Sequence, residues 1–315
     1  MRLPLIVIMF VVLAALASCT DNNSGLINID YEKIHTGTEG LVLSTINGAP
    51  PPEVLTEQGF SMVVKLENQG ASNIKGGKLK LIMNQDYIKS DDGVTSVDFD
   101  LEGKSLVNPV GGVDFITFPM TSQILKEAMS TYHDSELILL ACYAYSSTMR
   151  KEVCVDTDIF NMNKENKEKI CQQSAFDPGT QGGPVVIYKV EPKYTGKDKE
   201  IYPQYVIYVK NAGRGQVIDN TKVGAACSIA SPGEDFWNIV KVSAKLGNQT
   251  LDCEPKLEGS TEAGIRLREG LDFFKCKAPH FIPPGTPTYV GVLQVNVTYG
   301  YTESISRSVK IRRLV

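Results

Sequence analysis

Cysteine is the residue type with the clearest chemistry to offer in this chain. Beyond Cys19, the sequence carries Cys142, Cys154, Cys171, Cys227, Cys253 and Cys276, and an even set in an exported protein reads as a disulfide framework whose full connectivity spacing cannot fix. Zinc would need ligands at characteristic spacings, but no CxxC pair occurs and no histidine stands at ligand spacing from a cysteine. The histidines His35, His133 and His280 are not accompanied by a GxSxG turn that would present a serine nucleophile. Asp91-Asp92-Gly93, followed by Asp98 and Asp100, offers oxygen ligands for calcium, with Asp91 and Asp92 the candidates. The spacing does not match an EF-hand, and Asp-Asp-Gly is more commonly a polar turn. Gly213-Arg214-Gly215 is too short to cradle a phosphate. No catalytic residue, metal or cofactor is expected.

The N-terminus carries an address. Arg2 is followed by the apolar run LPLIVIMFVVLAALA and then by Leu16-Ala17-Ser18-Cys19. A basic start, an apolar core shorter than the ~20 residues a spanning helix requires, and small residues before a cleavage point make a secretory signal. This segment resembles the lipobox of prokaryotic lipoproteins, which implies cleavage after residue 18 and a diacylglyceryl group on Cys19. Two acyl chains give stable attachment where one is marginal. Residues 1–18 are then the signal peptide, residues 19–30 a tether, and the mature protein is extracytoplasmic and anchored to the cell membrane. The sequons Asn22-Asn23-Ser24, Asn248-Gln249-Thr250 and Asn296-Val297-Thr298 fit such a location, with Asn248 and Asn296 the glycosylation candidates.

Length and charge narrow the function classes. The 315 residues allow about two ordinary domains. With 32 basic and 36 acidic residues the net charge is −4, which leaves no broad electrostatic footprint for nucleic acid.

The elements that must position these residues read as strands nearly throughout, in short Val-, Ile-, Leu-, Tyr- and Thr-rich runs broken by Gly, Pro, Asn and Asp. Two correspondences indicate an internal duplication with unequal insertions. The runs Phe60–Glu67 and Tyr205–Lys210 both exit through Asn-x-Gly, at Asn68-Gln69-Gly70 and Asn211-Ala212-Gly213. The stretch from Tyr143 to Val155 also aligns without a gap on that from Tyr299 to Ile311, each copy reading as strand, polar turn, strand. Two homologous β domains follow, at 31–160 and 184–315, joined by a polar, Gly-rich linker at 161–183. Only Ser122–Tyr132 reads as a short helix, with Ile124, Leu125 and Ala128 on one face.

Alternation orients these hairpins. Val295, Val297, Tyr299 and Tyr301 share the core face, with Val309 and Ile311 joining them on the return strand and Lys310 outward. Transferred to the first copy, the same parity buries Leu139, Ala141, Tyr143 and Tyr145 and sets Cys142 and Cys154 on the outer face. Both cysteines are absent together from the second copy, where Thr298 and Lys310 stand. A cross-strand Cys142–Cys154 disulfide is therefore expected, with Cys154–Cys171 the alternative; the first pairing would leave the linker cysteine bonded to the second domain. Trp237, beside Phe236, could stack on a sugar, although packing under a loop is the commoner use.

The Asn-x-Gly exits and terminal Tyr-rich segments resemble the immunoglobulin-like modules of prokaryotic surface proteins, especially CARDB-like adhesion-related repeats and the paired Ig-like domains of archaeal envelope proteins. The resemblance implies an all-β fold of two tandem β-sandwiches and supplies no catalytic residue. It implies a cell-surface or adhesion context; taken with the N-terminal signal, the expectation is a non-enzymatic lipoprotein, membrane-bound through Cys19, acting in adhesion, interaction or envelope assembly with other surface proteins or glycans. The alternative is an extracytoplasmic glycan- or peptide-binding lipoprotein with hydrolytic capacity.

Overall fold

The computed structural model describes residues 34–126, 129–159, 169–197, 200–228, 236–283 and 286–314. The signal, tether, Cys19 and first sequon lie outside this set. The first half contains β1 (Leu41–Thr45), β2 (Glu53–Leu55), β3 (Gly59–Asn68), β4 (Ile74–Met83), β5 (Ile88–Ser90), β6 (Ser96–Leu101), β7 (Val113–Ser122) and β8 (Tyr132–Val155). The second contains β9 (Val185–Lys197), β10 (Glu200–Asn211), β11 (Gln216–Ile218), β12 (Ile239–Leu246), β13 (Gln249–Thr250), β14 (Asp252–Glu254), β15 (Ala263–Arg266), β16 (Leu271–Lys277) and β17 (Tyr289–Arg312). A 3₁₀ turn at Asn220–Lys222 runs into a single helical turn, α1 (Val223–Ala226). The expected all-β class holds.

The helix expected at Ser122–Tyr132 does not form among the described residues. Ser122 ends β7 and Tyr132 begins β8; between them Leu125 is buried while Ile124 is exposed. Two adjacent apolar residues that part in this way do not share a helical face, and Ala128 lies outside the described residues.

The two Tyr-rich segments are not hairpins. Each lies within one continuous strand of 24 residues. The stretch from Ser146 to Glu152 is polar but contains no Gly, Pro, Asn or Asp to take a turn conformation, and its alternation never breaks, with Ser147, Met149 and Val153 buried. Ser146, Thr148, Arg150 and Glu152 take the outer face of the strand, and the inward Ser147 is satisfied by Tyr299.

β8 and β17 instead pair with each other, antiparallel and in unbroken register from Tyr132↔Arg312 to Val155↔Tyr289. They form the centre of a nine-stranded sheet that draws β4 and β6 from the first half and β12, β13 and β15 from the second. Two four-stranded sheets, β1-β3-β7-β5 and β14-β16-β10-β9, pack their apolar residues into the same core. The segments 31–160 and 184–315, expected as tandem sandwiches, are thus stitched through one sheet and lie in one compact unit from Glu32 to Val315.

The cysteine pairing differs from the expected Cys142–Cys154. The bonds are Cys142–Cys227, Cys154–Cys171 and Cys253–Cys276. Cys142 and Cys154 are twelve positions apart on one extended strand, about 40 Å by strand rise, and cannot meet. The parity placing both off the core face was sound, yet Cys142 is fully buried, because Ile218, α1 and Trp237 cover that part of the sheet. Cys154 takes the alternative partner, so the linker cysteine belongs to the first half. The end of the linker is also not free: Gln181 is buried and clamps both backbone groups of Ile187, accepting from its N–H at 2.7 Å and donating to its carbonyl at 3.2 Å.

Candidate binding cleft

The duplication becomes a repeated hydrogen-bond motif. In the first copy the Tyr145 hydroxyl accepts from the Ser72 N–H at 3.1 Å and donates to Asn68 Oδ1 at 3.2 Å. The same Asn68 oxygen accepts from the Gly70 N–H at 3.2 Å, and its amide donates to the Ser72 carbonyl at 2.8 Å. In the second copy Tyr301 accepts from the Gly215 N–H at 2.8 Å and donates to Asn211 Oδ1 at 3.2 Å. Asn211 then binds Gly213 N–H at 3.2 Å and the Gly215 carbonyl at 2.9 Å. The other tyrosine of each pair is equally matched, with Leu41 N–H donating to Tyr143 at 3.2 Å and Val185 N–H to Tyr299 at 3.3 Å. Gly70 and Gly213 are required for closeness, not for positive φ: a Cβ on either would collide with the hydroxyl of Tyr145 or Tyr301.

Beside each lock lies a depression, and here the copies diverge. The first is a shallow site of about 230 Å³ around Ala71, Ser72, Asn73, Ser146 and Thr148. The corresponding second-copy residues, Arg214, Gly215, Gln216, Thr302 and Ser304, line a cleft of about 580 Å³. Where the first copy has Ser147, buried and hydrogen-bonded to Tyr299 at 2.9 Å, the second has Glu303. Glu39 and Trp237 complete the polar and aromatic walls of the larger cleft, with Leu43, Leu140 and Ile305 supplying apolar surface.

Glu303 sits on the core-facing side of β17, where the sheet opens past β11. Burial pushes its carboxyl up to about 7; repulsion from Glu39 adds to the shift and Arg214 opposes it. A carboxyl poised there can donate or accept a hydrogen bond near neutral pH. Arg214 offers a planar donor to a ligand's carboxylate or hydroxyls, and Trp237 offers an apolar ring.

The carboxylates, histidines and sequons singled out from sequence are placed elsewhere. Asp92 accepts from Ser90 Oγ and from the Val94 N–H, both at 2.8 Å, while Asp91 accepts from Thr121 Oγ1 at 2.7 Å. Asp98 pairs with Lys78 at 2.6 Å, and Asp100 accepts from Gly76 N–H at 2.6 Å. These carboxylates order a turn and the edge of β6; among the described residues no three His, Cys, Asp or Glu gather to hold a metal. His133 stacks on Tyr87 at 3.5 Å between centroids, His280 is exposed after β16, and His35 borders the smaller depression. Burial holds His35 below its ordinary value. Asn248 is exposed in the β12–β13 turn, whereas Asn296 accepts from Thr148 Oγ1 at 2.9 Å across β8 and β17.

Trp237 and Arg214 were visible in the sequence as isolated features; Glu303 and Glu39 were not singled out. The available signal for Glu303 was the alignment of the two copies, which sets an acid opposite Ser147 at a position that alternation directs inward. Glu39 carries no such mark, because it precedes the first strand.

No family model matches this chain, and no curated protein matches it. A solved structure, the CupB6 tip adhesin from Pseudomonas aeruginosa, aligns at 10% identity over 89% of this chain and 99% of that chain, with a TM-score of 0.16. A superposition of that quality does not define a shared fold. Three disulfides place the chain in an oxidising, extracytoplasmic setting. No helix among the described residues is long and apolar enough to cross a membrane.

Proposed function

We propose that this protein is a non-enzymatic envelope lipoprotein, held at the membrane through Cys19, whose two Ig-like halves present a binding cleft to another surface component. The observation that carries this reading is the divergence of the duplicated depressions: the same Tyr–Asn frame supports both, but only the second has acquired Glu303, Arg214 and Trp237 around a larger cavity. A rigid scaffold with one diversified loop cluster is how recognition modules are built.

Intact-mass analysis of protein extracted from its native host's membranes should find a chain beginning at Cys19 with a diacylglyceryl group. The full soluble portion should bind purified native envelopes saturably, and the pair Arg214→Ala with Trp237→Ala should weaken that binding. Unlipidated cleavage elsewhere refutes the anchor, and binding indifferent to both substitutions refutes the cleft.

The second reading, a glycan- or peptide-handling hydrolase, is favoured by the pairing of Glu303, raised to about 7, with Glu39 in one cleft. Acid–base hydrolysis of a glycoside calls for a pair of carboxyls facing one cavity. Turnover of an envelope glycan or peptide that Glu303→Gln abolishes without loss of binding would establish it.

A further inference from the structure

A second surface is independent of the cleft. Tyr205, Ile207 and Val209 are buried on the core side of β10, so Gln204, Val206, Tyr208 and Lys210 take the other side, where Val206 is itself buried among its neighbours. Register sets Tyr208 between Phe273 of β16 and Lys189 of β9, Val206 between Lys275 and Glu191, and Gln204 between Lys277 and Lys193. The irregularity in pairing after Lys189 brings Tyr188 into the same row. Tyr188 and Tyr208 lie 6.0 Å apart between centroids, and Tyr208 and Phe273 5.6 Å, with ring planes tilted by 56° and 44°. Rings of three adjacent strands therefore form a ribbon, with Phe273 still 40% exposed.

Lysines are threaded through this ribbon. Lys189 lies over Tyr208 and Lys210 over Tyr188, both at 5.2 Å; Lys275 lies over Phe273 at 5.8 Å, and Lys277 over Tyr202 at 4.4 Å. Two acids stand among them: Glu191, paired with Lys189 at 2.5 Å and Lys193 at 3.6 Å and accepting from the Tyr208 hydroxyl at 3.3 Å, and Glu200, accepting from the Tyr202 hydroxyl at 3.1 Å. On the flanking strand β14, Glu254 faces Lys275, and Asp252 faces Lys277 but is held by Lys256 at 2.7 Å. Lys210, Lys275 and Lys277 form no salt bridge among the described residues, in a chain whose net charge is −4.

We propose that this outward face of β16, β10 and β9 binds an acidic polysaccharide, with sugar rings stacked on Tyr188, Tyr208 and Phe273 and uronate or sulfate groups met by Lys210, Lys275 and Lys277. Aromatic faces bind the apolar side of a pyranose, and an ammonium shifted off a ring remains beside it as the counter-ion; the cation–ring contact it gives up is weak at an exposed site. A lipid surface would call for a continuous apolar patch, which the lysines interrupt. A peptide adding as a strand would call for an unpaired edge, and this is a sheet face. The inference rests on the interaction-module reading and names a partner class for it.

The test is binding of the full soluble chain to immobilised polygalacturonate, with dextran and poly-glutamate as comparators. Polygalacturonate is expected to be preferred over both, with affinity falling as salt rises. The triple substitution Lys210→Gln, Lys275→Gln, Lys277→Gln is expected to weaken it about tenfold, as three exposed charge contacts would. Tyr208→Ala should weaken it at every salt concentration, while Lys245→Gln, on the outer face of β12, should leave it unchanged. Dextran bound as well as polygalacturonate, poly-glutamate bound as well, or a triple variant that binds like the parent would each overturn the proposal. A triple variant that loses polygalacturonate binding but still binds native envelopes through the cleft would separate the two surfaces and leave the module reading standing.

Discussion

Ala144 and Gly300 face each other at the midpoint of the β8–β17 pair, and they are also equivalent positions in the duplicated sequence. A local two-fold axis therefore passes between them, and Tyr143 pairs with Tyr301 as Tyr145 pairs with Tyr299. Each long strand serves both halves. The first part of β8 pairs with β4 and the first part of β17 with β12, while the end of each continues beside the other half. Val309 and Ile311, from the end of the chain, and the parallel β2 contact at Lys310–Arg312 thereby complete the first half's sheet.

The first prediction concerns independence. Residues 31–160 expressed alone lack the strand that carries Val309 and Ile311, and should lack the cooperative thermal transition and dispersed amide spectrum of the whole chain. Mixing with residues 184–315 should restore both. A folded, monomeric first half would refute the shared-sheet account.

Removing one lock hydroxyl should cost measurable stability. Tyr145→Phe leaves the Ser72 N–H without its acceptor, and Tyr301→Phe does the same to Gly215. Each should lower the unfolding free energy by about 1–3 kcal/mol in a urea titration, with little change in the urea slope.

The disulfides should differ in weight. Replacing Cys142 and Cys227 together by serine opens a link across 85 positions, against 17 for Cys154–Cys171. Chain-entropy arguments give losses of about 4.5 kcal/mol and about 3 kcal/mol respectively. Non-reducing peptide mapping should recover Cys142 joined to Cys227, and a Cys142–Cys154 peptide would contradict the continuous strand.

Glu303 should make stability fall as pH rises. Its folded-state value of about 7 lies above the ordinary 4.5, so between these limits the folded chain holds a proton that the unfolded chain releases. Each step upward in pH then favours unfolding. Glu303→Gln should flatten this slope and stabilise the protein at pH 8 by about 1–3 kcal/mol, a range discounted for partial exposure of the carboxyl. Denaturant midpoints from pH 4 to 8 measure it directly; an unchanged slope in the variant would remove Glu303 as the source.

The sequence by itself determined the β class, the duplication and the parity of the strands, because alternation and repetition are local properties written residue by residue. Tyr143, Tyr145, Tyr299 and Tyr301 point inward as their period-two pattern requires. Only the tertiary structure decided what each strand pairs with. Ser146–Glu152 read as a turn because its polarity was visible, while the facing strand that accommodates it, Val292 to Thr298, lies far away in sequence. The same cause misdirected Cys142, whose partner Cys227 is fixed by how the turn at Asn220–Ala226 folds over the sheet. The cleft, too, is a product of assembly. Glu39, Arg214, Trp237 and Glu303 are remote along the chain and meet only where the two halves share β17.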